Sequence, residues 1–309
     1  MATRPESVRT PAQEATHLGL LTAVGAYTLW GLFPLFLKLL DAVSATEILG
    51  HRIVWAVPFG ALLISARGQW PEIRKIFSSP RVLALLAVSA LVIAVNWLIY
   101  VWAVGADRVL EASLGYYINP LMNVAAGVVL LGDQLRRLQI VAVVLAAIGV
   151  IVLTVGGGVF PWVSFVLAVS FTAYGFIRKT VDAGAMPGLF TEVVLLAPLA
   201  ITYLFWIAGR GESMFATGDL GLTGLLILAG PVTVVPLLLF ALAARRLTLT
   251  TLGFIQYIGP TLQFLLGLAY GEPFTVYHAI CFGLIWTALA VFSFDAYRRS
   301  KAEGAANAA

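Results

Sequence analysis

Runs of about twenty apolar residues recur ten times along this chain of 309 residues, and they restrict its fold more than any other feature. A helix needs about 20 such residues to cross a hydrocarbon core of about 30 Å. The runs are Leu18–Leu40, Glu47–Ala66, Val82–Val104, Ala112–Leu131, Leu138–Val155, Trp162–Ile177, Leu189–Ala208, Leu220–Ala243, Leu249–Tyr270 and Tyr277–Tyr297. The connections between them are short, which leaves no room for a sizeable soluble domain. Composition closes the alternatives. Charged residues make up 11% of the chain and hydrophobic ones 61%, whereas an ordinary soluble domain is about 25% charged. The chain is too apolar for intrinsic disorder, and its one cysteine, Cys281, excludes a disulfide scaffold. The net charge of +4 is scattered along the sequence, so no nucleic-acid partner is expected. The expected fold is an all-α polytopic membrane protein of ten transmembrane helices.

Basic residues set the expected orientation. Alternate connecting segments, with both ends of the chain, hold Arg4, Arg9, Arg67, Arg74, Lys75, Arg81, Arg136, Arg137, Arg178, Lys179, Arg245, Arg246, Arg298, Arg299 and Lys301. The opposite set holds Lys38, Arg108 and Arg210, while Arg52 falls within a span. The bias places both termini in the cytoplasm. Residues 1–17 read as a cytoplasmic tail with no cleavable signal peptide ahead of the first span. Residues 298–309, basic and then Ala-rich, read as a second, disordered tail.

Short motifs repeat in order. Tyr117-Ile118-Asn119-Pro120 returns as Tyr257-Ile258-Gly259-Pro260, with Asn123 meeting Gln263 and Gly127 meeting Gly267 at the same offset of 140 positions. Leu114-Gly115-Tyr116 is echoed by Leu252-Gly253-Phe254, Thr28-Leu29-Trp30-Gly31 by Thr172-Ala173-Tyr174-Gly175, and Thr46-Glu47 by Thr191-Glu192. The expected organisation is a 5+5 repeat, residues 18–156 followed by 157–297. Five is odd, so the second half enters the membrane from the other side, giving an inverted repeat of the kind that supports alternating access.

Polar groups inside a bilayer cost several kcal/mol unless they find partners or water, so each one is informative. Span two opens Glu47-Ile48-Leu49-Gly50-His51-Arg52, with Glu47 and His51 on one helix face and Trp55 within reach. This is a candidate proton-exchanging and anion-attracting cluster; the competing reading is a helix start with an arginine that snorkels or packs as scaffold. In span four Tyr116, Asn119, Pro120, Asn123 and Gly127 share a face, mirrored in span nine by Gln256, Gly259, Pro260, Gln263 and Gly267. Tyr116, Asn119 and Gln256 are expected to line a cavity, and the glycines to serve close helix packing. Pro120 and Pro260 each free a backbone carbonyl and are candidate hinges. Asn96 lines the cavity or bridges two helices. Glu192, near the mouth of span seven, is the inverted counterpart of Glu47 and a candidate proton carrier. No phosphate loop, zinc motif or nucleophile elbow is present, and three histidines with one cysteine offer few metal ligands, so neither cofactor nor metal is expected.

Three stretches carry a family resemblance: Glu47 to Arg52, Glu111-Ala112-Ser113-Leu114-Gly115-Tyr116-Tyr117-Ile118-Asn119-Pro120-Leu121, and Thr251-Leu252-Gly253-Phe254-Ile255-Gln256-Tyr257-Ile258-Gly259-Pro260-Thr261. Over residues 18–297 the chain resembles the RarD subfamily, in the EamA branch of the drug/metabolite transporter superfamily. The resemblance implies a ten-helix permease of the bacterial inner membrane with cytoplasmic termini, and efflux in preference to uptake. The expected function is secondary-active movement of a small amphipathic metabolite or drug-like solute by alternating access, with the bilayer and protons as further partners. Trp55, Tyr116, Tyr117 and Tyr257 would supply aromatic surface, and Asn96, Asn119 and Gln256 hydrogen bonds. Arg52 would hold a carboxylate or nitro-type acceptor, and Glu47, His51 and Glu192 would couple protons. The alternatives are a membrane-embedded lipid-modifying enzyme using Glu47, His51 and Arg52, and a non-transporting sensor or scaffold.

Overall fold

The computed structural model describes residues 11–131, 134, 136–158, 160–247 and 249–306, and all regular structure among them is helical. The helices are α1 (Pro11–Gly31), α2 (Phe33–Lys38), α3 (Ala45–Ala66), α4 (Trp70–Phe77), α5 (Pro80–Gly105), α6 (Val109–Leu131) and α7 (Arg137–Gly157). They continue as α8 (Trp162–Thr180), α9 (Ala185–Gly209), α10 (Leu220–Ala244), α11 (Leu249–Ile255), α12 (Ile258–Ala269) and α13 (Val276–Ala306). Arg4 and Arg9 lie outside the described residues. Helix is the expected outcome for apolar runs in lipid, where each backbone group must find its partner within its own segment.

Among the described residues eight segments are long and apolar enough to cross a membrane: Thr16–Lys38, α3, α5, α7, α9, α10, Thr251–Ala269 and Val276–Asp295. α6 and α8 have 23 and 19 residues, about 34 and 28 Å at 1.5 Å per residue, but stand outside that set. In α8 the polar residues, Arg178 and Lys179 among them, dilute the apolar character. Polarity is distributed inside out. Leu62, Val155, Leu199 and Phe205 are exposed, while Glu47, His51, Arg52, Asn96 and Glu192 are buried.

Several expectations are corrected. Two spans are broken. α1 and α2 part at Leu32, and Pro34 explains it: with no N–H, it leaves the Trp30 carbonyl unclaimed by the helix. The Gln263 side-chain amide donates to that carbonyl at 3.2 Å. α11 and α12 part at Gln256 and Tyr257, four and three residues before Pro260, where the turn tightens to i→i+3 bonds such as Gly259 N–H to the Gln256 carbonyl at 3.2 Å. The terminal segments are more ordered than expected. α1 begins at Pro11, a residue suited to a first helical position, and α13 runs through the Ala-rich end to Ala306. The short helix α4 was not anticipated either. Its Glu72 accepts from the Gly184 N–H at 2.8 Å and its Lys75 pairs with Asp182 at 2.9 Å, tying α4 to the α8–α9 connection.

α3 packs between α9 and α10, α6 between α8 and α12, and α7 along α13. α1 packs on α10 and α12, and α5 on α8 and α9. Gly230 makes the α3–α10 contact possible: a Cβ there would meet the Trp55 backbone carbon at 2.4 Å. That approach brings Thr233 of α10 to Arg52 of α3.

Candidate functional site

Arg52 is 5% exposed, on α3 between α9 and α10. Its Nε donates to Thr233 Oγ1 at 3.1 Å, and Thr233 in turn donates to the Ala229 carbonyl at 2.8 Å. The guanidinium carbon lies 4.8 Å from the ring centres of both Phe33 and Trp97. Two cation–π contacts of this kind, desolvated, offset part of the cost of a buried charge. Tyr100 and Tyr116 lie near it, and their own rings meet edge to face at 5.7 Å. Phe33 stacks on Tyr100 at 6.0 Å. Among the described residues no carboxylate reaches Arg52, and its Nη1 is buried without a hydrogen-bond partner, as is the Tyr100 hydroxyl. The result is a cationic group in an aromatic cage with donors left unsatisfied.

One turn away, Glu47 is engaged elsewhere. Ser44 caps α3, and the Glu47 N–H donates to its hydroxyl at 3.3 Å. Glu47 Oε1 accepts from Ser213 Oγ at 2.7 Å and Met214 N–H at 2.8 Å, fastening the α9–α10 connection over the end of α3. His51 Nε2 lies 4.0 Å from that same oxygen and has no hydrogen bond, while Trp55 Nε1 donates to His51 Nδ1 at 3.3 Å. Phe215 covers the histidine with ring centres 4.7 Å apart. Glu47, His51 and Trp55 therefore form one connected group under a loop cover, beside Arg52 in sequence.

α6 carries the second half of the arrangement. Tyr116 faces the Arg52 cage. Asn119 follows on the same side, buried, with its Oδ1 unpartnered. Pro120, Asn123 and Gly127 then line a cleft of about 640 Å³ together with Gln134, Arg136, Gln139, Gln256 and Phe292. Among the described residues no carboxylate lines it, and Arg136 pairs with Asp295 at 3.0 Å. One face of α6 thus leads from the cage to the cleft. From Tyr116 to Asn123 is about 10 Å along the helix.

The remaining residues singled out in the sequence are placed elsewhere. Asn96 donates from Nδ2 to the Leu167 carbonyl at 3.0 Å and to Ser170 Oγ at 2.9 Å, bridging α5 to α8. Tyr117 shares a hydrogen bond of 2.7 Å with Thr261 and stacks on Tyr257 at 6.4 Å, among Phe282 and Trp286 and away from Tyr116. Glu192 is fully buried, not solvated at a span end as a lone carboxylate there usually is. It accepts from Ser89 Oγ at 2.6 Å and Tyr174 OH at 3.3 Å and lies 3.8 Å from Arg178. Pro120 lies within an unbroken α6, whereas Pro260 follows an interrupted helix. Cys281 is buried in the core between α7 and α13. Among the described residues no group of three His, Cys, Asp or Glu could hold a metal.

Sequence reasoning missed the cage partners Phe33, Trp97, Tyr100 and Thr233, which come from three other helices. It also missed Glu272, whose two oxygens accept from the Val109 and Leu110 N–H groups at 2.5 and 2.7 Å and cap α6 from the α12–α13 connection. The signal available was a buried-length connection of few residues carrying a lone carboxylate.

Residues 17–155 match the EamA-like transporter family. An uncharacterized transporter of Vibrio cholerae serotype O1 is 48% identical over 95% of this chain and 97% of its own length. Protein RarD of Escherichia coli K12 is 45% identical over 91% of this chain and 95% of its own. A crystal structure of a protein 18% identical superposes with a TM-score of 0.56 over 89% of this chain and 97% of that one, a likeness of fold.

Proposed function

We propose that this chain, which belongs to the RarD group of the EamA-like transporter family, moves a small amphipathic organic solute across the bacterial inner membrane by alternating access, exporting it. A membrane transporter in the coarse sense follows from the family and from the eight segments among the described residues that are long and apolar enough to cross a membrane. The observation that carries the finer reading is the unpaired, caged Arg52 between α3 and α10, joined along α6 to the amide-lined cleft. The solute rests against Phe33, Trp97, Tyr100 and Tyr116, with Arg52 as its polar anchor. The cleft, lined by Arg136 and Gln139 from the basic connection, is the cytoplasmic entrance.

The ten-span, five-plus-five organisation draws support from the packing. Count α1 with α2 as one span, α11 with α12 as another, and α6 and α8 as spans. Exchanging the halves then turns the contact α3·α10 into α9·α5, α1·α10 into α8·α5, and α6·α8 into α12·α1, and all six are present. A bundle whose main contacts have counterparts under that exchange can reach two related conformations by swapping the states of its halves. Glu47, His51 and Glu192 take the part of proton carriers in this reading, with His51 the one left a free ring nitrogen. The lipid-modifying alternative is weaker, because Glu47 is already committed to Ser213 and Met214.

Purified protein in proteoliposomes tests the proposal. A radiolabelled solute panel should show saturable counterflow that an uncoupler reduces, and Arg52→Ala should lower the rate at least tenfold at equal protein content. Solute that leaves chemically altered, or flux no greater than in empty liposomes, sinks it.

A further inference from the structure

We propose that the Arg52 cage takes an organic monoanion, a carboxylate on a flat apolar body; this deepens the transport reading and rests on it for the route but not for the binding. The first ground is an imbalance of charge. Arg108, Arg136, Arg178 and Arg210 each have a carboxylate within 4 Å: Glu111, Asp295, Glu192 and Glu212. Arg52 is buried, 5% exposed, and among the described residues it has none. A buried cation without its counter-charge costs several kcal/mol, and a bound anion supplies what the fold withholds.

The second ground is the number and type of free donors. Arg52 Nη1 and the Tyr100 hydroxyl are both buried and both without a partner. Thr233 is already engaged on both sides, by the Arg52 Nε and the Ala229 carbonyl. Two donors beside one positive charge match the two oxygens of a carboxylate. A phosphate dianion would leave one charge and several acceptor positions unmet. Trp97, Phe33 and Tyr116 offer ring surface on which a planar body can lie, 4.8 Å from the guanidinium in the first two cases.

The third ground is the route. Four amide side chains, Asn123, Gln134, Gln139 and Gln256, line the cleft, and among the described residues no acid does. The acid nearest Arg52 in sequence, Glu47, spends its Oε1 on the α9–α10 loop. The amides of the cleft can donate to a passing carboxylate.

The test is binding to the full chain in detergent, read by calorimetry and by the thermal unfolding midpoint, with three probes of one shape: 3-phenylpropanoate, 3-phenylpropanamide and 3-phenylpropylamine. The carboxylate should bind saturably and raise the midpoint, since a ligand selective for the folded state stabilises it. The amide and the amine should bind at least tenfold more weakly. Arg52→Gln should weaken the carboxylate at least tenfold, and Tyr100→Phe about three- to tenfold with the probe-free midpoint unchanged; if Arg52→Gln fails to fold, Tyr100→Phe carries the test. Equal or tighter binding of the amide or amine, no saturable binding of the carboxylate, or affinity unchanged in Tyr100→Phe overturns the inference. Proteoliposome flux separates it from the transport reading. Flux of amines with no carboxylate binding overturns the anion alone, and carboxylate binding without flux of any solute overturns transport alone.

Discussion

Single residues in this protein differ less in kind than in whether the fold has answered them. Glu272 shows an answered charge: two backbone N–H groups at the start of α6 point at its carboxylate. Burial still pushes its carboxyl above the ordinary carboxylate range, and the two backbone donors pull it back only in part. Its contribution to stability is therefore complete in acid, below the unfolded value, and declines as pH rises through the raised folded value. Glu272→Gln should flatten that decline in a plot of unfolding midpoint against pH and cost about 1 kcal/mol for the weakened cap. An unchanged pH profile would mean that some other group sets it. Arg52 was legible in the sequence because a charge in an apolar run stands out. Its cage was not, because Phe33, Trp97, Tyr100 and Thr233 are apolar-run residues like their neighbours until packing gathers them. Asn96 looked the same in sequence as a cavity residue would, and only the partners of its amide show a bridge between α5 and α8.

At the scale of elements, prolines divide into those the helices absorb and those that interrupt them. Pro58, Pro120, Pro198, Pro231 and Pro236 sit inside continuous helices, while Pro34 and Pro260 adjoin breaks. The apolar runs foretold where helices would be, since membrane thickness sets their length. They said nothing about continuity, because hydropathy is blind to which carbonyl lacks its amide. α4 was missed for the complementary reason: eight residues with two basic side chains make no apolar run, and its hold on the α8–α9 connection is a matter of tertiary contact. Restoring the N–H at the second break tests its role. Pro260→Ala should join α11 to α12, raise the helical circular-dichroism signal slightly, leave the unfolding midpoint equal or higher, and slow solute flux several-fold. Full flux with a continuous helix would show that the interruption serves packing only.

For the molecule as a whole, the question is which contacts must part during a transport cycle. α7 lies along α13 closely enough that a Cβ on Gly149 would meet the Cys281 carbonyl at 3.1 Å, an interface with no space to open. The cleft between α6, the α11–α12 break and α13 is different, being polar and already open. Cysteines placed at Asn123 and Gln256 and joined by a bifunctional maleimide should stop flux, and each single variant treated alike should not. Continued flux in the joined protein would remove the cleft from the route. The buried Cys281 should stay unlabelled in that experiment, so the native chain serves as its own background.

The bond from Gln263 to the Trp30 carbonyl has a consequence for how the bundle yields. A carbonyl served by its own helix is released only by unwinding a turn. This one is served by a side chain from a stretch more than two hundred residues downstream, and letting go takes no unwinding at all. A neutral hydrogen bond contributes about 1 kcal/mol net, comparable to thermal agitation, so that seam can come undone and re-form many times for every time a helix frays.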